Sequence, residues 1–477
     1  MKWYITVFLF VFCPLMSMGQ EIINMGNKRE IFVDDYLIDK LDNLRLQIHH
    51  PRDEGPVLYF DKPWEGSFST YTTIIKDGGQ FRAYYRGLRI PIDGDPSEVT
   101  CYARSRDGIV WEKPNLGLYE IDGTYDNNVV LAHASPVPHN FSPFLDTNPN
   151  ALAEERYKGV GGLHHSGLFA YVSADGLIWK KKQEAPVQQG WLDTQNVVFW
   201  SEHEQLYVCY SRGLTKGWEP GTIRIVNRAT SPDFINWTPF VDMTFGDTPV
   251  EHLYTNQTSS YFRAPHIYIA IGARFFPSKR IMTAEQAERL NFEPRYFSDC
   301  SDVFLMSTRG DMKFTRTFME SFIRPGIGLN NWGSRTNYPA LNVLQTGTAE
   351  MSVYVNQDYA QPTAHLRRYS LRLDGFASIA APYKGGEALT KLFTFSGNEL
   401  EINFSTSAAG EIRFEIQDEN GKPIPGFTLE DSPTIIGNEI ARVVQWTGNR
   451  NLNELNGKPV RLRMVMKDAD LYSIRFK

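Results

Sequence analysis

The chain is poor in the residues that build metal and redox centres. It has four cysteines in 477 residues, and none has a metal-type spacing. Cys13 lies in an apolar N-terminal stretch, which leaves Cys101, Cys209 and Cys300. Three thiols cannot all pair within one chain. Cys101 and Cys209 sit inside the apolar runs Val99-Thr100-Cys101-Tyr102 and Leu206-Tyr207-Val208-Cys209-Tyr210, where buried, unreactive thiols are expected. There is no glycine-rich phosphate loop and no nucleophile-elbow motif, so nucleotide and serine-hydrolase chemistry find no support. No run of basic residues occurs and the net charge is −6, so nucleic acid is not an expected partner. Beyond the N-terminal stretch no segment is apolar enough to cross a bilayer.

Residues 1–19 read as a secretory signal: Lys2 supplies charge, Trp3 to Met16 an apolar core, and Ser17-Met18-Gly19 a small-residue cleavage site. A secreted or periplasmic mature protein is therefore expected, without a membrane span. Hydrophobic content of 42% with 13% aromatics is ample for packed cores.

A short phrase recurs through the chain. It reads Ser105-Arg106-Asp107-Gly108-Ile109-Val110-Trp111, then Ser173-Ala174-Asp175-Gly176-Leu177-Ile178-Trp179, then Ser231-Pro232-Asp233-Phe234-Ile235-Asn236-Trp237. Weaker echoes are Ser307 to Phe314 and Arg372-Leu373-Asp374-Gly375-Phe376. Five copies at a period of roughly 60 to 75 residues, each among period-2 strand patterns, predict five propeller blades. In the first unit Thr70 to Ile75 and Phe81 to Tyr85 flank a Lys76-Asp77-Gly78-Gly79 turn, and Val99 to Ser105 forms a third strand. Only Thr283 to Leu290 reads as a helix. Near residue 385 the repeat stops and denser alternation begins, as in Leu400 to Phe404, Glu411 to Ile416 and Val460 to Val465. The expected fold is all-β: a five-bladed β-propeller over 20–385, followed by a β-sandwich over 386–477.

Five blades followed by a sandwich resemble the secreted glycoside hydrolases of family 32 and family 43. The chain more closely resembles a group of secreted bacterial family-32-like hydrolases. That resemblance rests on Ile31-Phe32-Val33-Asp34-Asp35-Tyr36-Leu37-Ile38, Asp193-Thr194-Gln195-Asn196, Arg367 to Phe376 and Asp470-Leu471-Tyr472-Ser473-Ile474-Arg475-Phe476. The Asn-Asp-Pro-Asn, Arg-Asp-Pro and Glu-Cys motifs of family 32 enzymes are missing, which argues against fructan as substrate.

In a propeller the start of each innermost strand and the end of the second strand share one axial mouth. By this pattern Glu65, Asp146, Asp193 and Glu251 are the candidate catalytic acids, with Arg335 and Asn337 at the fifth position. The inner strand of unit four begins at either Glu251 or Tyr254. Convergent carboxylates suit glycosidic cleavage, one protonating the leaving oxygen while another activates water or attacks the anomeric carbon. The family 43 resemblance implies an Asp in blade one, an Asp in blade three and a Glu in blade four. Asp193 and Glu251 match by type, whereas blade one offers Glu65, or Asp34 and Asp35 before it. That resemblance also implies inversion. Each acid has a plainer reading as a turn or cap residue.

Second-strand ends carry Arg86, Arg212 and Arg274, with His164-His165 at the equivalent place in unit two. These residues either bind an anionic sugar, with Trp191 stacking on it, or hold the funnel carboxylates ionised. No metal centre or cofactor is expected, although a structural cation such as calcium on the axis stays open. The functional expectation is a glycoside hydrolase acting on a complex, anionic or neutral poly- or oligosaccharide. Its rivals are a non-catalytic glycan-binding propeller and a polysaccharide lyase using His165, Arg212 and Tyr210. The sequence sets no expectation for oligomeric state.

Overall fold

The computed structural model describes residues 22–477 apart from Trp218 and Asn449. The expected signal at 1–19 lies outside the described residues. Five antiparallel sheets follow one another around an axis. Blade one contains Thr70–Asp77, Gln80–Gly87 and Val99–Ser105, and blade two Ser142–Leu145, Tyr157–Gly161, Phe169–Ser173 and Lys180–Lys181. Blade three contains Val197–Ser201, Leu206–Leu214, Arg224–Ser231 and Val241–Asp242. In blade four the inner edge is split into His252–Leu253 and Thr258–Tyr261, both paired with Ala264–Phe276, and Cys300–Thr308 lies outside them. Blade five is built from Tyr338–Pro339 and Leu344–Gln345, then Glu350–Gln357 and His365–Arg372. Its outer strand is Arg52–Tyr59, so a strand that precedes blade one in sequence completes blade five. On the inner side, Leu341 N–H donates to Thr72 O at 2.8 Å and Ile74 N–H to Leu341 O at 3.2 Å, joining blades five and one.

The recurring phrase has a physical task. In blade one the Asp107 carboxylate accepts from the N–H groups of Ile109 and Val110 at 2.8 and 2.9 Å, and Gly108 N–H donates to Ser105 Oγ at 2.9 Å. The same bonds recur at Ser173 and Asp175. In blade three Asp233 again collects two N–H groups. The turn also joins blades: Tyr84 Oη donates to Gly176 O at 2.9 Å and Tyr354 Oη to Gly108 O at 2.7 Å. Gly108 has φ +76, and a Cβ there would lie 2.6 Å from Tyr354 Oη. Gly108→Ala should therefore cost about 1–3 kcal/mol in denaturant unfolding. Gly78→Ala is the control, because its φ is also positive but an added Cβ there meets nothing within 4 Å.

The expected helix is present as Ala284–Arg289, capped by Thr283 in a capping box with Gln286. All three described cysteines are free and buried, and burial raises the Cys101 and Cys209 pKa values.

The C-terminal module is drawn differently from the expected 386 boundary. Leu400 to Phe404 and Glu411 to Ile416, read as separate strands, are one strand, Leu400–Gln417, interrupted by a register shift between Thr406 and Glu411. It pairs along its length with Arg461–Phe476. Leu400, Ile402 and Phe404 from one half and Ile412, Phe414 and Ile416 from the other bury into a single core. Both halves thus contribute to one core on either side of the register shift. Arg29–Ile31, Ile38–Asp42, Arg45–Ile48 and Ala377–Ala381 belong to this sheet too. The propeller sheets thus start near Arg52, because the preceding segment finds its hydrogen-bonding partners in the C-terminal sheet.

Candidate functional site

The axial mouth gathers charge from several blades. A cavity of about 90 Å³ there is lined by His164 of blade two, Trp191, Asp193, Arg212 and Arg224 of blade three, Tyr254 of blade four and Arg335 ahead of blade five. Asp193 stands four residues before the inner strand Val197–Ser201. Backbone bonds around Asn140 and Asn196 secure it: Asn140 Nδ2 donates to Leu192 O and Thr194 O at 2.8 and 2.7 Å, and Asn196 Nδ2 donates to Leu192 O at 3.0 Å. Strain gathers here as well. Tyr71, Arg335 and Asn337 adopt left-handed backbone with φ of 52, 62 and 62, a conformation that residues with a Cβ hold only when the surroundings enforce it.

Beside Asp193 lies His139, in the turn Val137–His139 before the inner strand of blade two. His139 Nε2 is 3.5 Å from Asp193 Oδ1 and 3.9 Å from Asp93 Oδ1, and its Nδ1 is 2.7 Å from Glu98 Oε1. Asp93 and Glu98 come from the loop between the second and third strands of blade one. Arg86 lies 3.2 Å from His139 Nε2, and Arg212 Nη1 donates to Asp193 Oδ2 at 3.4 Å. Burial alone would raise the Asp193 pKa, but His139, Arg212 and Arg335 outweigh it and hold the carboxyl well below the usual range. Burial and Arg86 press the His139 pKa down, yet Asp193 and Glu98 prevail and raise it.

These two shifts predict a pH signature. Asp193, ordinarily at 3.8, contributes stability above that value, and the contribution is lost as pH falls through its depressed native pKa. His139, ordinarily at 6.5, contributes stability below that value, and the contribution is lost as pH rises through its raised native pKa. Urea midpoints should therefore decline on the alkaline side above the 6.5 reference, and His139→Gln should flatten that limb.

The other expected acids are placed elsewhere. Glu65 is fully buried within blade one, accepting from Tyr85 Oη and Lys113 Nζ, both at 2.6 Å, and from Lys62 N–H at 2.9 Å. Asp146 follows the end, not the start, of the inner strand Ser142–Leu145, which puts it at the opposite rim. There it is buried against Lys158 at 2.6 Å and Tyr207 Oη at 2.7 Å. Glu251 precedes the split inner edge of blade four, but its carboxylate engages Arg274 at 3.2 Å and Arg316 at 2.6 Å. Tyr254 takes the axial place instead, and of the four expected acids only Asp193 lines the mouth cavity.

Among the expected cations, Arg86 is committed to Phe68 O at 2.9 Å and to His139, while Arg274 forms a two-pronged pair with Asp302 at 2.7 and 2.6 Å. Arg274, Asp302 and Trp332 line a separate cavity of about 460 Å³. It is larger than the mouth cavity, but Arg274's charge is already neutralised there. Asn337 is buried, donates to Ser301 O and Asn331 O, and is not among the residues lining the mouth cavity. His165 is exposed and packs edge-on against His164, the member of the pair that reaches the cavity. Tyr210 is fully buried within blade three's core. Trp191 and Arg335 line the cavity.

His139, Asp93 and Glu98 were missed. The available signal was positional: Pro138-His139-Asn140 precedes its inner strand much as Leu192-Asp193-Thr194 precedes the next. Asp93, His139 and Asp193 bring three ligand atoms within 4.8 Å of one another, the arrangement a divalent cation would use. Arg212 pairs with Asp193 at 3.4 Å, and Arg86 lies beside His139 at 3.2 Å.

No family model matches the chain, and no curated protein matches it. Among solved structures it is similar to an N-acetylgalactosamine deacetylase from F. plautii in complex with blood group B trisaccharide, at 12% identity and a TM-score of 0.43, over 69% of this chain and 96% of that one. It is also similar to a glycoside hydrolase family 43 arabinoxylan arabinofuranohydrolase from Bacillus subtilis, at 10% identity and 0.40, over 86% and 96%. A third likeness is to a protein of the GH130 family of mannoside phosphorylases and glycoside hydrolases, at 14% identity and 0.36, over 72% and 96%. At such scores the likenesses carry no argument about chemistry. The chain's own strand pairing makes it a five-bladed propeller.

Proposed function

We propose that the protein is a glycoside hydrolase whose reaction takes place at Asp193. The observation that carries this reading is a pair of carboxylates, Asp193 and Asp93, with oxygens within 4.8 Å of each other at the mouth of the propeller. Carboxyl groups about 5 to 5.5 Å apart suit retention of configuration, and about 6.5 to 9.5 Å suits inversion. The observed spacing favours retention over the inversion implied by the family 43 resemblance. Asp193, held ionised, attacks the anomeric carbon. Asp93, the other carboxyl group of the pair, donates the proton to the departing oxygen and later takes one from water. His139 Nε2 lies 3.5 Å from Asp193 and 3.9 Å from Asp93, and its Nδ1 is held by Glu98 at 2.7 Å. His139 keeps Asp193 in place and ionised.

The cavity of about 90 Å³ is well below the several hundred Å³ typical of sites that enclose larger ligands. It suits one terminal sugar unit, and so release from a chain end. Secretion, as expected from the N-terminal residues, fits an enzyme that meets glycans outside the cell.

The test is product release from a panel of neutral and acidic plant and algal glycans, with the anomer formed followed by NMR. Single sugars released with retention support the reading. Oligomers released from mid-chain, or an inverted product, overturn the corresponding part. A glycan-binding propeller is the second reading, favoured by one observation: Asp193 and Glu251 are both already ion-paired with arginine. Binding without release from any glycan would establish it. The lyase reading has less support: Arg212 lines the cavity, but Tyr210 is buried in the blade-three core and His165 is not among the lining residues.

A further inference from the structure

Two guanidinium groups in the mouth cavity make no direct contact with a carboxylate among the described residues, although Arg335 acts on Asp193 through space. Arg224 and Arg335 both line it, and neither forms an ion pair among the described residues. Arg224 lies over the rings of Tyr254 and Phe275, each at 5.1 Å, and its Nη1 is 3.4 Å from His252 Nδ1. Arg335 lies over Tyr254 at 5.9 Å and Tyr296 at 4.9 Å, and donates to Tyr296 Oη at 3.2 Å. Stacking on tyrosine faces fixes the plane of each guanidinium while leaving N–H groups free to bind. A third cue is Arg212, which is 5% exposed and whose buried Nε has no hydrogen-bond partner. The charged side chains lining the cavity are one carboxylate, Asp193, and three guanidinium groups, Arg212, Arg224 and Arg335. Arg212 balances Asp193. A neutral sugar would leave the other two charges without a counterpart inside a narrow cleft.

We infer that Arg224 and Arg335 form an anion-binding subsite and that the terminal sugar taken by the cavity carries an acidic group, a carboxylate or a sulfate ester. The inference deepens the hydrolase reading and rests on it for the substrate's being a sugar unit. It also revises which arginines serve this purpose: Arg274 is already paired with Asp302 and Glu251, and the hydrogen-bonding groups of Arg86 are taken up by Phe68 O, Tyr359 Oη and His139, whereas Arg224 and Arg335 reach the cavity. Both groups reach the cavity from elements fixed by the propeller, Arg224 at the start of its strand and Arg335 in strained backbone with φ of 62. A planar carboxylate matches the fork of either guanidinium, and a sulfate can bridge the two.

Binding is measured first, on the Asp193→Asn protein, so that the result does not depend on cleavage. The probes are galacturonate, glucuronate and galactose 6-sulfate, each against its neutral parent sugar, with sodium sulfate as an ionic control, all by calorimetry. At least one acidic probe should bind roughly tenfold or more tighter than its parent. Arg335→Gln and Arg224→Gln should each remove most of that difference and leave the neutral sugar's affinity unchanged. Uronates alone binding would assign the carboxylate, and the sulfated sugar alone the sulfate ester. Equal affinity for every acidic sugar and its parent would overturn the subsite, as would a preference that survives both substitutions. Sodium sulfate binding as well as any sugar would show an ion site without a sugar subsite, and overturns it equally. Acidic-sugar binding with no hydrolysis of any glycan by the wild type would keep the subsite and reject the hydrolase.

Discussion

Asp193→Asn should abolish glycan cleavage while leaving the protein folded and able to bind. The expected fall in kcat is roughly three orders of magnitude or more, the scale on which a nucleophile or acid–base group acts. Asn keeps the shape of the side chain and can still accept from Arg212, so the cavity need not collapse. What it loses is the negative charge that His139 and Arg212 hold in place. A second effect separates this role from a merely structural one. His139 would lose one of the two carboxylates that raise its pKa, so the alkaline limb of the stability profile should move toward neutral pH. Residual cleavage within about tenfold of wild type would remove Asp193 from the chemistry. A lost activity together with lost binding would instead indicate collapse of the mouth, and Glu251→Gln supplies the comparison: its carboxylate faces Arg274 and Arg316, and it should retain activity.

The second large effect lies away from the mouth. Asp374, in the last echo of the recurring phrase, is fully buried and joins the propeller to the C-terminal module. It accepts from Tyr261 Oη at 2.8 Å in blade four, from Ser473 Oγ at 2.7 Å and Asn403 Nδ2 at 3.0 Å in the module, and pairs with Arg263 at 3.2 Å and Arg29 at 3.6 Å. Removing it leaves two guanidinium groups short of a counter-charge and three donors without their acceptor. Asp374→Ala should therefore cost about 3–5 kcal/mol, the usual scale for breaking a buried ion pair from one side. Denaturant unfolding followed by tryptophan fluorescence is the measurement. The expected result is a lower midpoint, with the single transition splitting into two as the propeller and the module uncouple. A loss below about 1 kcal/mol would mean that the shared apolar cluster of Ile31, Val33, Phe376 and the blade-four strands holds the two parts together unaided.

Much of the architecture was legible in local chemistry. A Ser-x-Asp turn satisfies its own N–H groups within seven residues in three copies, so its spacing could be read directly and, with two weaker echoes, counted as five blades. The helix at Ala284–Arg289 was legible for the same reason, through its capping box. Long-range pairing was not. The assignment of Arg29–Ile31 to the C-terminal sheet and of Arg52–Tyr59 to blade five depends on partners hundreds of residues away.

The site divides along the same line. Sequence by itself determined that carboxylates and arginines stand near strand ends, and three residues it singled out, Asp193, Trp191 and Arg335, line one cavity. It could not determine which strand end faces the mouth. Asp146 went to the wrong rim because four residues, Ser142–Leu145, form the inner strand before it rather than after it. Glu251 turned aside because the inner edge of blade four is split and Tyr254 fills the axis. Only tertiary structure brought Asp93, Glu98 and His139 to Asp193 and left Arg224 and Arg335 without a direct ion pair among the described residues. The physical reason is that a turn is closed by hydrogen bonds within a few residues, whereas a propeller mouth is assembled from the ends of separate blades. A one-residue change of register in any blade would exchange the side chains it presents there.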